Sequence, residues 1–204
     1  MTELWDNVWR MMDHTNLGMR LHHHLVFTAY ERMLDPLSLR NPAVLELGAG
    51  PGELTARIIK KYGGTATLVD KSAVAVRLAK MNFSRHTITA RIFQRDLLDF
   101  RPSRKYDLVH SEGLIEHFIG KEQKAVITAH KRCAKRDGFL LFCVPRPAWY
   151  YRVVKKFLEK AGKWPWGFEQ ALEHTELRQL LEDNGLHVLR SANYVRYALA
   201  LAKL

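Results

Sequence analysis

Three glycines, Gly48, Gly50 and Gly52, stand between the acids Glu46 and Glu53 in the run ELGAGPGE. Glycines so spaced let a backbone approach a ligand closely, and the free N–H groups of a following helix's first turn point toward it. A dinucleotide-binding turn needs G-x-G-x-x-G. Here the third glycine comes one residue early and Glu53 takes its place. Two carboxylates repel a pyrophosphate but accept a cation, so the expected ligand is not a dinucleotide. Further along, Asp70 closes the run ATLVD and Asp96 lies in QRDLLDF, while HSEGLIEHF holds His110, Ser111, Glu112 and His117. Imidazole and carboxylate groups in such a run can take a proton from an attacking nucleophile. His22, His23 and His24 are consecutive; on a helix they diverge by about 100° each, so they cannot face one ion. Metal-ligating helical pairs sit three or four apart, and no metal is expected. Cys133 and Cys143 form neither a CxxC pair nor a disulfide framework and read as buried, reduced thiols.

The elements that position these groups follow from hydrophobic patterning. AVLEL, ATLVD, DLVHS and GFLLFCV are short, nearly continuous apolar runs, as in parallel strands covered on both faces. Helical patterns alternate with them. GELTARIIKKYGG puts Leu54, Ile58 and Tyr62 on one face and stops at Gly63-Gly64; KSAVAVRLAKMNF offers Ser72 as N-cap; and KEQKAVITAHKRCAKRDG ends in cations before Gly138. The C-terminal stretch predicts a helix capped by Thr175 and stopped by Gly185, then two runs linked only by Ser191–Asn193. That link is too short for a parallel crossover. The expected fold class is α/β: a doubly wound, mostly parallel sheet with an antiparallel C-terminal hairpin and helices on both faces. At 204 residues one domain is expected, with N-terminal cap helices over 1–40, a ligand-binding half over 41–145, an insertion over 146–172 and a C-terminal helix and hairpin over 173–204. The opening residues lack the pattern of a signal peptide and no run is long and apolar enough to span a membrane, so a cytoplasmic, soluble chain is expected.

In order and setting these motifs resemble those of class I S-adenosylmethionine-dependent methyltransferases, from about Val44 to the C-terminus. Within that family the resemblance is to the small-molecule, quinone-methyltransferase-like (type 11) subgroup. ELGAGPGE is similar to the family's first motif, E/D-x-G-x-G-x-G. The resemblance implies that the mostly parallel sheet is seven-stranded. It also implies S-adenosyl-L-methionine as cofactor and S-adenosyl-L-homocysteine as product, bound by Glu46, Gly48, Ala49, Gly50 and Gly52. It implies that Asp70 holds the ribose hydroxyls and that Asp96, with Leu97 beside it, contacts adenine. Lys71 departs from the family's usual apolar residue, so the adenine floor falls to its methylene stem, to Phe93 or to Leu97. Ser111 and Glu112 then face the methionine moiety. His117 and Glu112 are candidate catalytic bases, with His110 third. The leading helix is expected to fold over the cofactor, Trp5 being its candidate contact.

The acceptor is addressed by composition. Residues 146–163 hold Arg146, Arg152, Lys155, Lys156, Lys160 and Lys163 against Glu159 alone, within a chain of net charge +11. Trp149, Val153 and Phe157 recur every four residues, which reads as a basic amphipathic helix. In the family this insertion commonly forms the acceptor lid, which implies Trp149, Tyr150, Trp164 and Trp166 as lid residues. Three functions stay open. The first is a methyltransferase of a small apolar or amphipathic acceptor. The second is one acting on RNA or protein through the basic insertion, and the third a non-catalytic cofactor-binding subunit. Residues 146–163 suit peripheral contact with an anionic membrane surface or with nucleic acid. SEGL lacks the Asn/Asp-Pro-Pro-aromatic run of DNA N-methyltransferases, and no cysteine lies near it for a C5-pyrimidine mechanism.

Overall fold

The computed structural model describes residues 2–12 and 17–204; residues 1 and 13–16 of the expected cap lie outside them. The chain runs α1 (Thr2–Met11), α2 (Leu17–Leu34), β1 (Ala43–Leu47), α3 (Glu53–Tyr62), β2 (Thr65–Asp70), α4 (Ala73–Arg85), β3 (Ala90–Gln94) and β4 (Tyr106–Glu112). It continues with α5 (Gly120–Cys133), β5 (Ala134–Pro145), α6 (Trp149–Lys160), α7 (His174–Asp183), β6 (His187–Tyr194) and β7 (Tyr197–Lys203). The strands form one seven-stranded sheet in the order β3-β2-β1-β4-β5-β7-β6. The first five are parallel, and β7 lies antiparallel between β5 and β6. This is the doubly wound α/β sheet with a reversed C-terminal pair that the apolar runs predict. The chain leaves β1 in one direction for β2 and β3, then returns to its other side as β4. That reversal opens a crevice at the carboxyl ends of β1 and β4, where ligands of open α/β sheets bind.

Period-two alternation explains why the strands are apolar throughout. On β4, Leu108 packs with Tyr30 and Met33 of α2 and Ile58 of α3, while Val109 packs with Ile127 of α5 and Leu181 of α7. On β7, Leu199 and Leu201 join the first layer and Ala198, Ala200 and Ala202 the second. The small residues let α5 and α7 approach the sheet. Each fully buried Leu or Ile contributes on the order of 1.5–3 kcal/mol.

Three local expectations are corrected. Helix α5 ends at Cys133, and Ala134 to Asp137 already belong to β5, where Ala134 pairs with Tyr106. The C-terminal hairpin does not turn at Ser191–Asn193, which lie inside β6; it turns at Val195-Arg196. Helix α7 is capped by Glu173 rather than Thr175, through a reciprocal capping box with Glu176. Ser72 does cap α4, accepting from the Ala75 N–H at 3.1 Å.

Candidate functional site

The loop after β1 is stitched to the end of β2. The N–H groups of Gly48 and Ala49 donate to the Val69 carbonyl at 2.9 and 3.2 Å. The Gly50 N–H donates to Asp70 Oδ2 and the Ser72 N–H to Asp70 Oδ1, each at 2.8 Å. Asp70 is only 9% exposed, and burial raises its pKa against the pull of those two donors. Gly50 has φ +51°, and a Cβ there would fall 2.6 Å from Trp9 of α1, so Trp9 lies directly over the loop. Gly52, at φ +71°, faces Leu68 and Phe83; it lets α3 settle on the sheet and does not reach the ligand crevice. Helix α1 is held by Asp6, whose carboxylate accepts from the Ser72 hydroxyl and, at 3.4 Å, from the Val74 N–H, at the electropositive start of α4.

A cavity of about 890 Å³ opens from this loop. Glu46, Gly48, Ala49, Asp70 and Lys71 lie on its inner wall, with Asp96, Leu97 and Leu98 beyond them. Asp96 is exposed and accepts the Leu98 N–H at 2.9 Å. Gly50 and Gly52 shape the loop without reaching that wall. Phe93 stands outside the cavity, its ring 5.5 Å from that of Phe100, which leaves Lys71 and Leu97 as the wall candidates for an adenine floor.

The structure separates the residues of HSEGLIEHF. His110 and Ser111 are fully buried behind the cavity wall, which corrects the expectation that they face it. Alternation sends them to opposite faces. The Thr55 hydroxyl lies 2.9 Å from His110 Nε2, and Tyr30 Oη 3.4 Å from its Nδ1. Ser111 Oγ lies 3.0 Å from Nε2 of His130 on α5. Burial holds His110 at about 3 and His130 at about 4, so both are neutral. Glu112, one residue further, emerges into the cavity. Burial pushes it up to about 7, against the Arg196 charge. His22 Nε2 lies 3.7 Å away, and Tyr197 Oη lies 2.7 Å from His22 Nδ1. Burial pulls His22 down to about 4, so the ring is neutral.

The outer half of the cavity is aromatic. Trp5 meets His117 edge-on at 4.9 Å and Trp166 at 6.3 Å, and Trp164 stands 6.1 Å from Tyr151. His117 Nδ1 lies 2.7 Å from the Phe168 carbonyl, so that nitrogen carries the proton and Nε2 keeps its lone pair. Burial lowers the His117 pKa, which keeps the ring neutral. Among the described residues, Trp164 Nε1 and Glu116 Oε2 are buried without a hydrogen-bonding partner, on side chains that border the cavity. Of the expected lid residues, Trp5, Tyr150, Trp164 and Trp166 line the cavity; Trp149 does not, and is 77% exposed. Sequence reasoning missed Trp9, Tyr151, Glu116 and Arg196. Trp9 carried a signal, its i, i+4 pairing with Trp5, whereas Arg196 reaches the cavity only because the hairpin turns beside it.

Residues 20–191 match the family described as Methyltransferase domain. No curated protein sequence matches significantly. Solved structures share the fold at low identity. Magnesium protoporphyrin IX methyltransferase from Synechocystis PCC 6803, with bound SAH, superposes with TM-score 0.71 at 19% identity, covering 98% of this chain and 92% of that one. A protein described as DhpI, in complex with SAH, gives 0.72 at 19%, covering 99% and 96%. An S-adenosylmethionine-dependent methyltransferase from Clostridium acetobutylicum ATCC 824 gives 0.68 at 16%, covering 89% and 92%.

Proposed function

Because the chain belongs to the methyltransferase-domain family and is an S-adenosylmethionine-dependent methyltransferase, we propose that its methyl acceptor is a small, apolar or amphipathic molecule held beneath residues 146–172. The observation that carries this reading is the cavity itself. It runs without interruption from the glycine loop to the aromatic wall, and about 890 Å³ suits a small ligand beside a nucleoside. The relatives described as acting on magnesium protoporphyrin IX or in echinomycin biosynthesis are in keeping with a small acceptor.

The inner wall fits the donor. Asp70 has lone pairs left for ribose hydroxyls after accepting two N–H groups. Asp96 can accept from an amino group at the rim, and a cationic ligand beside Glu112 would favour its charged form. Bound there, S-adenosylmethionine supplies an already activated methyl group, so alignment supplies much of the rate, up to about 7–11 kcal/mol. Trp5 and Trp166 wall off water from the acceptor. His117 Nε2, left with its lone pair because the Phe168 carbonyl takes the Nδ1 proton, is the proposed base for an attacking hydroxyl or amine.

Incubating the protein with methyl-labelled cofactor and extract of its own cells tests the acceptor class. Label in the small-molecule or lipid fraction is the expected result. Label in RNA or protein overturns it, and absence of turnover despite cofactor binding favours a non-catalytic subunit. Once an acceptor is in hand, His117→Ala should lower kcat by about 10²–10⁴-fold with cofactor affinity unchanged. Because the base must be neutral and its pKa is lowered, activity should persist above the usual 6.5 and fall only below it. An unaltered kcat and pH profile in the variant would exclude His117 as the base.

A further inference from the structure

Helix α6 presents three faces. Tyr151, Val154 and Leu158 turn toward the cavity. On the outside, Trp149, Val153 and Phe157 follow one another at four-residue steps and are 77%, 60% and 72% exposed. Beside that stripe, Arg152, Lys156 and Lys160 repeat the same step, all exposed. Glu159 is the lone acid of the helix, and it lies 3.9 Å from Lys155, on the edge away from the apolar stripe. The hairpin tip extends the surface: Val195 is 62% exposed, and Tyr150 Oη donates to its carbonyl at 3.1 Å.

Exposed aromatic and aliphatic groups cost free energy in water. A cationic stripe parallel to them selects what covers them. Trp and Phe with flanking cations are the composition of a helix lying in the plane of a bilayer, apolar side sunk at the headgroup boundary. Nucleic acid would meet the cations and stack on the aromatic rings, but it has no use for Val153 and Val195. A second copy of this chain would bring another positive face, since the net charge is +11. We propose that the outer face of α6, with the hairpin tip, docks on an anionic lipid bilayer. The inner face of the same helix then roofs the acceptor cavity at the membrane surface, where an amphipathic acceptor concentrates. This last clause rests on the small-acceptor reading above; the docking face does not.

The test is co-sedimentation of the full chain with vesicles of phosphatidylcholine alone, or of phosphatidylcholine and phosphatidylglycerol in equal parts. Partition should favour the anionic vesicles by more than about tenfold and collapse as salt rises. Trp149→Ser with Phe157→Ser should weaken it at least about tenfold, as should Arg152→Ser, Lys156→Ser and Lys160→Ser together. Equal binding to both vesicle types, no binding, or unchanged binding by both variants overturns the proposal. So does a concentration-dependent dimer dispersed by Trp149→Ser, or a single-stranded oligonucleotide bound more tightly than the anionic vesicles. The wild-type comparison of vesicles and salt decides the matter even if a variant misfolds, which S-adenosylmethionine titration would reveal. Vesicle binding with label found only in RNA or protein would sink the small-acceptor reading and leave the docking face standing.

Discussion

Asp70→Ala should weaken S-adenosylmethionine and S-adenosylhomocysteine binding by about tenfold to a hundredfold, with the folded state retained. The carboxylate acts twice. Its two oxygens accept the Gly50 and Ser72 N–H groups at 2.8 Å, which fixes the glycine loop against the end of β2. Its remaining lone pairs face the cavity, where ribose hydroxyls are proposed to donate. Hydrogen bonds to a charged group contribute about 1.5–3 kcal/mol each, which converts to that range of affinity. Asp70→Asn keeps one acceptor oxygen but loses the charge, so a smaller loss is expected. Burial raises the Asp70 pKa, so wild-type affinity should decline in acid as the carboxylate protonates, and the alanine variant should lack that decline. Isothermal calorimetry measures all three quantities. An affinity unchanged by Asp70→Ala would reject the ribose role.

The parts of the site legible in the sequence are those whose chemistry is local. Gly48, Gly50 and Gly52 sit within five residues, and the strand that ends in Asp70 is marked by its own apolar run, so spacing alone brings them to one sheet edge. The sheet itself was legible because both of its faces are covered, which leaves apolar runs where a one-faced sheet would alternate. What spacing could not supply was partners from elsewhere. His110 and Ser111 differ from Glu112 only in which helix lies over them. Tyr30 and Thr55 cover one and His130 the other, and those residues come from three separate helices. The lid shows a different ambiguity. Helix α6 has two apolar stripes, one starting at Trp149 and one through Val154 and Leu158, and periodicity does not say which is inward. The family resemblance put Trp149 in the lid; the structure turns Val154 and Leu158 to the cavity and leaves Trp149 outside it. The hairpin was legible in kind but not in register, because Ser191–Asn193 has the look of a turn and yet pairs along β7.

Thr55→Val tests the buried chain that supports the glycine loop from behind. The Thr55 hydroxyl donates to Glu46 Oε2 at 2.6 Å, so the 2.9 Å contact with His110 Nε2 is one in which the ring N–H donates to the hydroxyl oxygen. Tyr30 Oη lies 3.4 Å from His110 Nδ1 and donates to the Ser111 carbonyl at 3.3 Å. Valine has nearly the shape of threonine, so packing survives while two fully buried polar groups lose their partner. At about 1–3 kcal/mol for each orphaned group, the variant should be roughly 2–6 kcal/mol less stable to urea, a large share of a typical domain's stability. Thr55→Ser retains the hydroxyl and should lose only about 1 kcal/mol for the missing methyl. The pH dependence has two opposing limbs. His110 is depressed to about 3, so its neutral form stabilises the fold fully above the unfolded value of 6.5, and that stability drains away as pH falls toward 3. Glu46 is raised to about 8 by burial, so its contribution is whole below 4.5 and is lost as pH rises through 8. Above that value Glu46 is a carboxylate that needs the Thr55 proton, and the valine variant should fall furthest behind wild type there. Urea midpoints at about pH 6 and about pH 9 measure the difference. Equal losses at the two pH values, or a serine variant as unstable as valine, would show that the methyl group rather than the hydroxyl relay holds Glu46 in place.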